Sequence, residues 1–145
     1  MQFRLALAPV VLAACGGSYT LTEDEGVTIA HDVFATHNIV VGSTRPMGPL
    51  PIDDVDVEFT VDRWSLANGV GYEYVSEDDP DFDEAVTDLG SDREVPRLQT
   101  AVDLFLEAEP GHRVLIIRTW GHETADLAKN QLEGYVELWL TDHGY

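Results

Sequence analysis

The strongest secondary-structure signal in the chain is Val55-Asp56-Val57-Glu58-Phe59-Thr60-Val61-Asp62, where apolar residues alternate without exception with acidic or hydroxyl-bearing ones. Strict alternation places the apolar side chains on one face of a β-strand and the polar side chains on the other. We therefore expect residues 55–62 to form a half-buried strand with one face in contact with water. This segment decides the predicted fold class, because the rest of the domain is interpreted with the same period of two.

Further strands are predicted on both sides of this segment. Val27, Ile29 and Val33 share one face of a candidate strand, and the aromatic and apolar residues 134–140 are suited to a closing core strand. The other candidates are residues 37–41, 70–75, 98–107 and 113–120. About seven strands over roughly 120 residues is the density of an antiparallel sandwich. We therefore predict a mainly β fold, an immunoglobulin-like β-sandwich with room for one short helix.

Two segments allow a second interpretation. We prefer strands at 98–107 and 113–120, joined at Glu109-Pro110-Gly111-His112, where Pro followed by Gly fits a type II turn. A helix over 92–107 is the alternative, because Ser91-Asp92-Arg93-Glu94 has the form of a capping box and Pro96 falls in the first helical turns. The residues that would share its apolar face are Val95, Leu98, Val102, Phe105 and Leu106. Residues 124–133 lack a period of two and form either a short helix or a polar crossover.

The composition describes an acidic chain that is still apolar enough to fold. Its 145 residues suffice for one domain, 44% of them are apolar, and 27 acidic against 8 basic residues give a net charge of -19. Such a charge repels nucleic acid, so no nucleic-acid partner is expected. A single cysteine excludes an intrachain disulfide and a cysteine-based zinc cluster.

The first residues have the layout of a secretory signal. Arg4 precedes an apolar run over residues 5–14, which as a helix covers roughly 15 Å, about half of a bilayer's hydrocarbon thickness. Leu12-Ala13-Ala14-Cys15, followed by Gly16-Gly17-Ser18, resembles the lipobox of bacterial lipoproteins. The resemblance covers only about the first eighteen residues and implies nothing about the fold that follows. The alternative is a soluble secreted protein that is cut elsewhere.

The lipobox resemblance implies a lipid anchor on Cys15. In that class the signal is cut before the cysteine, whose thiol carries a diacylglyceryl group and whose amino terminus is acylated; several acyl chains make release from the membrane negligible. Gly16 rather than Asp after the cysteine implies the outer membrane of a Gram-negative cell. The predicted organisation is a signal peptide at 1–14, a flexible tether at 15–26 and a single β-sandwich domain at 27–145.

An acidic stretch at residues 76–84 is a candidate calcium site. Asp79, Asp81 and Asp83 stand at alternate positions, and Ca²⁺ binds where several carboxylate and carbonyl oxygens converge. The EF-hand pattern fails, because Glu84 stands where the turn needs Gly and Gly90 where the bidentate Glu belongs. The preferred interpretation is a solvated acidic loop, and no other cofactor is predicted.

The histidines give weaker indications of a site. His122-Glu123-Thr124-Ala125-Asp126 begins like a zinc-protease motif, but Asp126 replaces the second histidine. His31 lies in phase with Val27, Ile29 and Val33, which predicts a core or strand-edge histidine. The remaining histidines, His37, His112 and His143, stand in turn-like or terminal contexts with no recognisable partner.

The aromatic residues and the lack of a nucleophile motif complete the functional prediction. Three tryptophans and three tyrosines could line a carbohydrate-binding face, although such residues more often form a sandwich core; they are Trp64, Trp120, Trp139, Tyr72, Tyr74 and Tyr135. No G-x-S-x-G motif is present, and Lys129 is the only lysine. We predict a non-catalytic binding or structural module, held at the membrane by lipid on Cys15, with a protein or glycan partner in the envelope. The alternatives are a small envelope hydrolase that uses carboxylates, assisted or not by Ca²⁺, and an assembly lipoprotein that pairs with a partner's strand.

Overall fold

In the part of the chain that the structure describes, three helices and a four-stranded mixed sheet form the core, so the predicted β-sandwich is wrong. The computed structural model describes residues 19–75, 95–118 and 121–145. In chain order the elements are β1 (Tyr19–Thr20), α1 (Glu23–Thr36), β2 (Ser43–Ile52), β3 (Val55–Ser65), β4 (Val70–Val75), α2 (Val95–Leu106), β5 (Arg113–Arg118), β6 (Gly121–His122) and α3 (Ala125–Asp142).

The sheet has the order β2-β3-β4-β5. Two antiparallel hairpins build β2, β3 and β4, and β5 then pairs with β4 in parallel, after a crossover that contains α2. The strands predicted over 55–62 and 70–75 are confirmed, as is the strand that begins at Arg113. A separate two-stranded ribbon joins β1 to β6, with Tyr19 opposite His122.

Both edges of this sheet carry protection against further pairing. β2 forms one edge and contains Pro46, Pro49 and Pro51, which are tolerated there because a free edge does not need their missing N–H groups. At the other edge, Gln99 of α2 donates from Nε2 to the carbonyl of Val114 at 2.8 Å and accepts the N–H of Ile116 at 2.9 Å. The described edges therefore offer little to a partner's strand.

Helix α1 replaces the strand predicted over residues 27–33. Its N-terminus is a capping box, in which the Thr22 hydroxyl accepts the N–H of Glu25 and the Glu25 carboxylate accepts the N–H of Thr22. The buried residues follow the helical spacing i, i+3, i+4, i+7, i+8: Gly26, Ile29, Ala30, Val33 and Phe34. Ile29 and Val33 are therefore buried, but through a helical period instead of a period of two. Residues 37–41, also predicted as a strand, form no regular element.

Helix α3 replaces the closing strand predicted over residues 134–140. The Thr124 hydroxyl caps its N-terminus by accepting the N–H of Leu127. Buried residues recur at every fourth position: Ala128, Leu132, Val136 and Leu140. The helical alternative for 124–133 was correct, but the helix continues for nine residues beyond it, to Asp142.

Helix α2 confirms the alternative interpretation of the segment that we had preferred as a strand. Leu98, Val102 and Leu106 are buried at helical spacing. The predicted turn is present: the N–H of His112 donates to the carbonyl of Glu109 at 3.0 Å, and Gly111 has a φ of 85°. It connects a helix to a strand instead of joining two strands.

The helices cover the two faces of the sheet. On the α1–α3 face, α1 and α3 pack on alternate residues of β4 and β5, including Tyr72, Tyr74 and Leu115. On the α2 face, α2 packs on the remaining residues of β5 and on the inward side of the β2–β3 hairpin, including Phe59 and Trp64. The core therefore has two parts, one on each side of the sheet.

The N-terminal part of the domain begins earlier than the sequence indicated. Residues 19–26 fall within the predicted tether, yet they contain β1, the start of α1 and Leu21, which is buried. Within the described ranges, none of the three helices is both long and apolar enough to cross a membrane.

Candidate functional site

A groove runs along the outside of the domain between α1 and α3, and we refer to it as the α1–α3 groove. Both helices run in the same direction, because their first turns line one lobe of the groove and later turns of both line the other. The two lobes have volumes of about 400 and 430 Å³. The acidic side chains that line them are Asp24, Glu25, Asp32, Asp126, Glu133 and Glu137. Among the described residues that line the groove, Lys129 is the single cation.

The acids in the groove differ in how they are held. Glu25 accepts the Tyr19 hydroxyl at 2.5 Å and the backbone N–H of Thr22 at 2.8 Å, and these two hydrogen bonds hold the pKa of its carboxyl below the usual range. Lys129 lies 3.8 Å from Glu133, one helical turn away on an exposed surface. At that distance and exposure the ion pair contributes little to stability. The groove as a whole therefore remains strongly negative.

A histidine and a carboxylate meet beside the second lobe. His37 ends α1, and its Nε2 lies 2.8 Å from Oε2 of Glu137 on α3. The side chain of His37 is mostly buried, and that of Glu137 is half exposed. A carboxylate in this position orients an imidazole, as in many acid–base sites. The neighbouring hydroxyl of Thr36 donates to the carbonyl of Val33 at 2.7 Å, so it is engaged within its own helix.

A pair of carboxylates lies between β3 and β4. The regular pairing of the two strands stops at Arg63 and Tyr72, and beyond that point each strand holds the other through a side chain. The buried Glu73 accepts the N–H of Asp62 at 2.7 Å, and Asp62 accepts the N–H of Tyr74 at 2.8 Å. These carboxylates replace ladder hydrogen bonds where the strands diverge, which is a structural role.

At the opposite end of the sheet from the first turns of α1 and α3, four side chains form a polar cluster. The guanidinium of Arg45 lies 4.7 Å from the centre of the Trp64 ring and donates to Glu109 and, at 2.9 Å, to Nδ1 of His112. Because an arginine N–H can only donate, this nitrogen of His112 must accept. Arg45 also holds the pKa of Glu109 below its usual range, mainly through the hydrogen bond. Arg45 therefore links the loop before β5 to β2 and β3 through its contacts with Glu109, His112 and Trp64.

Several predicted site residues fall outside the described residues. They are Cys15, the candidate calcium ligands Asp79, Asp81 and Asp83, and Trp120.

Among the described residues, neither His31 nor the segment from His122 to Asp126 forms a metal site. His31 is half exposed on α1, 3.5 Å from Asp32, and is not a core residue. His122 lies in β6, whereas Asp126 lies in the first turn of α3, so they do not share a helical face as a zinc motif requires. Among residues 19–75, 95–118 and 121–145, no three acid, histidine or cysteine side chains converge as metal ligands.

Of the aromatic residues considered for a carbohydrate-binding face, Trp64, Tyr72 and Tyr74 are buried in the core, as the preferred interpretation expected. Tyr135 and Trp139 are partly exposed on α3.

Comparison with protein-family models, with curated proteins and with solved structures finds no match for this chain.

Proposed function

We propose that the protein is an exported, lipid-anchored binding module of the cell envelope, attached through Cys15 to the outer membrane. In this proposal the α1–α3 groove holds a basic segment of a partner protein without catalysing a reaction. The lipobox resemblance at Leu12-Ala13-Ala14-Cys15 supports the anchor. The charge of the groove supports the choice of partner.

The observation that carries the proposal is the acidic lining of both walls of the groove. Asp24 and Asp32 on α1 face a channel that Asp126, Glu133 and Glu137 line from α3. Like charges across a narrow groove repel one another, and a cation placed between them relieves the repulsion. α1 extends over about 21 Å, so the groove is long enough for several basic side chains of one extended peptide.

The anchor is tested by metabolic labelling with a radioactive fatty acid. The wild-type protein should incorporate label, and the Cys15→Ala variant should not, because the thiol is the attachment point. Equal labelling of the two proteins would contradict the anchor.

The groove is tested by calorimetric titration with a short oligolysine peptide. The double variant Asp32→Asn with Glu133→Gln removes one charge from each wall and should weaken binding roughly three- to tenfold, as expected for two partly screened ion pairs. Asp56→Asn with Glu58→Gln provides the matched control, because it removes the same charge from the exposed face of β3. Equal weakening by both double variants would show that binding follows net charge, and the groove would lose its role.

A small hydrolase is the second candidate, and the His37–Glu137 pair favours it. The carboxylate would hold the imidazole in place as a general base beside the second lobe, where Asp32 and Glu133 add further acids. Hydrolysis of chromogenic ester and glycoside substrates by the wild type and by His37→Gln tests this function. Activity that disappears in His37→Gln while the folded state is retained would favour the hydrolase over the binding module.

A further inference from the structure

We infer that one end of the domain stands directly on the lipid surface. This end, which we call the stem end, consists of β1, β6 and the first turns of α1 and α3. The opposite end, with the β3–β4 turn and the Arg45 cluster, then points away from the membrane. The inference rests on the lipid anchor at Cys15 proposed above.

The first step is the short distance along the chain between the anchor and the folded domain. Three residues separate Cys15 from Tyr19, so four Cα–Cα steps span at most about 14 Å. Tyr19 itself is attached to the domain, because it pairs with His122 in the β1–β6 ribbon and its hydroxyl donates to Glu25. Leu21, two residues later, is buried. A lipid on Cys15 therefore cannot be far from the folded body.

The second step is the set of elements that share this end. Thr20 pairs with Gly121, and the caps of α1 and α3, Thr22 and Thr124, follow within a few residues of β1 and β6. β5 ends at Arg118, three residues before β6, so the carboxyl ends of β4 and β5 lie here too. The β3–β4 turn precedes the start of β4, about 20 Å away along the strand. The anchor therefore selects one end of the sheet.

The third step is the charge at the stem end. Asp24, Glu123 and Asp126 are exposed in or next to the first turns of the two helices. Carboxylates at this position are repelled by anionic lipid and are complementary to headgroups that present an ammonium, such as phosphatidylethanolamine. The partner surface is accordingly a zwitterionic one, and the contact weakens as anionic lipid is added. The effect of anionic lipid decays over about 10 Å at 0.1 M salt, so added salt should reverse it.

Collisional quenching of the mature lipidated protein in vesicles tests this arrangement. The native thiol is consumed by the lipid, so a single new cysteine can be labelled with a fluorophore. The two positions are Ala125→Cys in the first turn of α3 at the stem end and Leu66→Cys in the β3–β4 turn, and both side chains are exposed. The vesicles contain phosphatidylethanolamine and phosphatidylcholine, part of it carrying a nitroxide on the headgroup. Quenching at position 125 should be several-fold stronger than at position 66, and replacing part of the lipid by phosphatidylglycerol should reduce it at low salt.

A lengthened stem provides the matched control. A flexible Gly/Ser segment of about 15 residues inserted between Ser18 and Tyr19 should leave vesicle binding intact and lower the quenching at position 125 toward that at position 66. Equal quenching at the two positions in the unmodified stem, with the protein bound to vesicles, would overturn the orientation and leave the anchor standing. A wild-type protein that carries no lipid and does not float with the vesicles would overturn both.

Discussion

The two faces of the sheet hold their helices by opposite means. On the α1–α3 face, side chains of the sheet bond to the backbone in and just before α1. The Tyr72 hydroxyl donates to the carbonyl of Val27 at 2.9 Å, and the Tyr74 hydroxyl donates to the carbonyl of Leu21 at 3.1 Å. On the α2 face, a side chain of the helix bonds to the backbone of the sheet, through the two hydrogen bonds of Gln99 with β5.

On both faces, polar groups lie buried between a helix and the sheet. A buried polar group must find a hydrogen-bond partner, so each of these contacts fixes the position of a helix more sharply than apolar packing does. Two tyrosine hydroxyls determine where the chain enters and begins α1. One amide determines where α2 crosses the edge of β5. Substitutions on each face measure whether the two faces contribute equally to the free energy of unfolding.

The largest effect is expected from removing a buried leucine on either face. Leu132→Ala on α3 and Leu98→Ala on α2 each leave a cavity, because both side chains are fully buried, and each should lower the free energy of unfolding by about 2–5 kcal/mol. Urea denaturation followed by circular dichroism measures the loss. Leu138→Ala and Leu104→Ala are the controls on the same helices, since both leucines are 60% exposed, and neither should cost more than about 0.5 kcal/mol. A loss near zero at either buried site would mean that this face is not part of the core.

A smaller effect, specific to the α1–α3 face, is expected from Gly26→Ala. A Cβ at this position would lie 2.4 Å from the ring of Tyr74, which is fully buried and whose hydroxyl is hydrogen-bonded to Leu21. We expect a loss of up to about 3 kcal/mol from overpacking. Helix propensity alone predicts the opposite sign, a gain of about 1 kcal/mol, so thermal denaturation of this variant distinguishes the two effects. A stabilised variant would show that α1 does not approach β4 this closely.

On the α2 face the corresponding test is Gln99→Met. The substitution keeps the length of the side chain but leaves the carbonyl of Val114 and the N–H of Ile116 without this partner, which should cost about 1–3 kcal/mol. Gln131→Met is the matched control, because Gln131 is exposed on α3. Chemical denaturation of the pair gives the difference. Equal stability of the two variants would remove Gln99 from its role at the edge of β5.

The smallest effect at neutral pH is expected from Tyr72→Phe, about 0.5–1.5 kcal/mol for one lost hydrogen bond. Its pH dependence is more informative. Burial raises the pKa of the Tyr72 hydroxyl above its usual value, so its contribution is complete below about pH 10 and is lost as the pH rises further. Melting temperatures between pH 7 and pH 11 should fall more steeply for the wild type than for Tyr72→Phe. Parallel curves would show that Tyr72 ionises freely in the folded protein.

Part of the fold follows from the sequence because it depends on neighbours along the chain. In β3 the alternation corresponds to one covered face, where Val57, Phe59 and Val61 are buried, and one wet face, as expected for a strand next to an edge; Val55 at its start is exposed. β4 and β5 are short apolar runs that a buried strand requires. β2 was not predicted, because its three prolines disfavour a strand anywhere except at the edge of a sheet.

The helices of the α1–α3 face were misread for an identifiable reason. Val27, Ile29 and Val33 fit a period of two, but Ile29 and Val33 are also four residues apart, as in a helix. The decisive local signal was the capping box formed by Thr22 and Glu25, which lies in the segment predicted as a tether. In α3, Tyr135 and Trp139 suggested a strand through their intrinsic preference, whereas the four-residue spacing of Leu132 and Val136 indicates a helix.

The candidate site was beyond reach of the sequence once these helices were missed. The acids of the α1–α3 groove belong to two segments about a hundred residues apart, and His37 and Glu137 are separated by 100 positions. Nothing in the local pattern of either segment indicates the other. A carboxylate pair such as Asp62 and Glu73 is equally invisible, since it forms only where two strands diverge.

The sequence by itself determined the net charge, the half-buried strand β3 and the lipobox resemblance, because each depends on composition or on residues within a few positions of one another. The tertiary structure decided that residues 27–33 and 134–140 are helical and that their acids line one groove. Intrinsic preferences for helix or strand differ by less than about 1 kcal/mol per residue, whereas burying a large apolar side chain contributes about 1.5–3 kcal/mol. Packing against the sheet therefore overrides local preference wherever the two conflict.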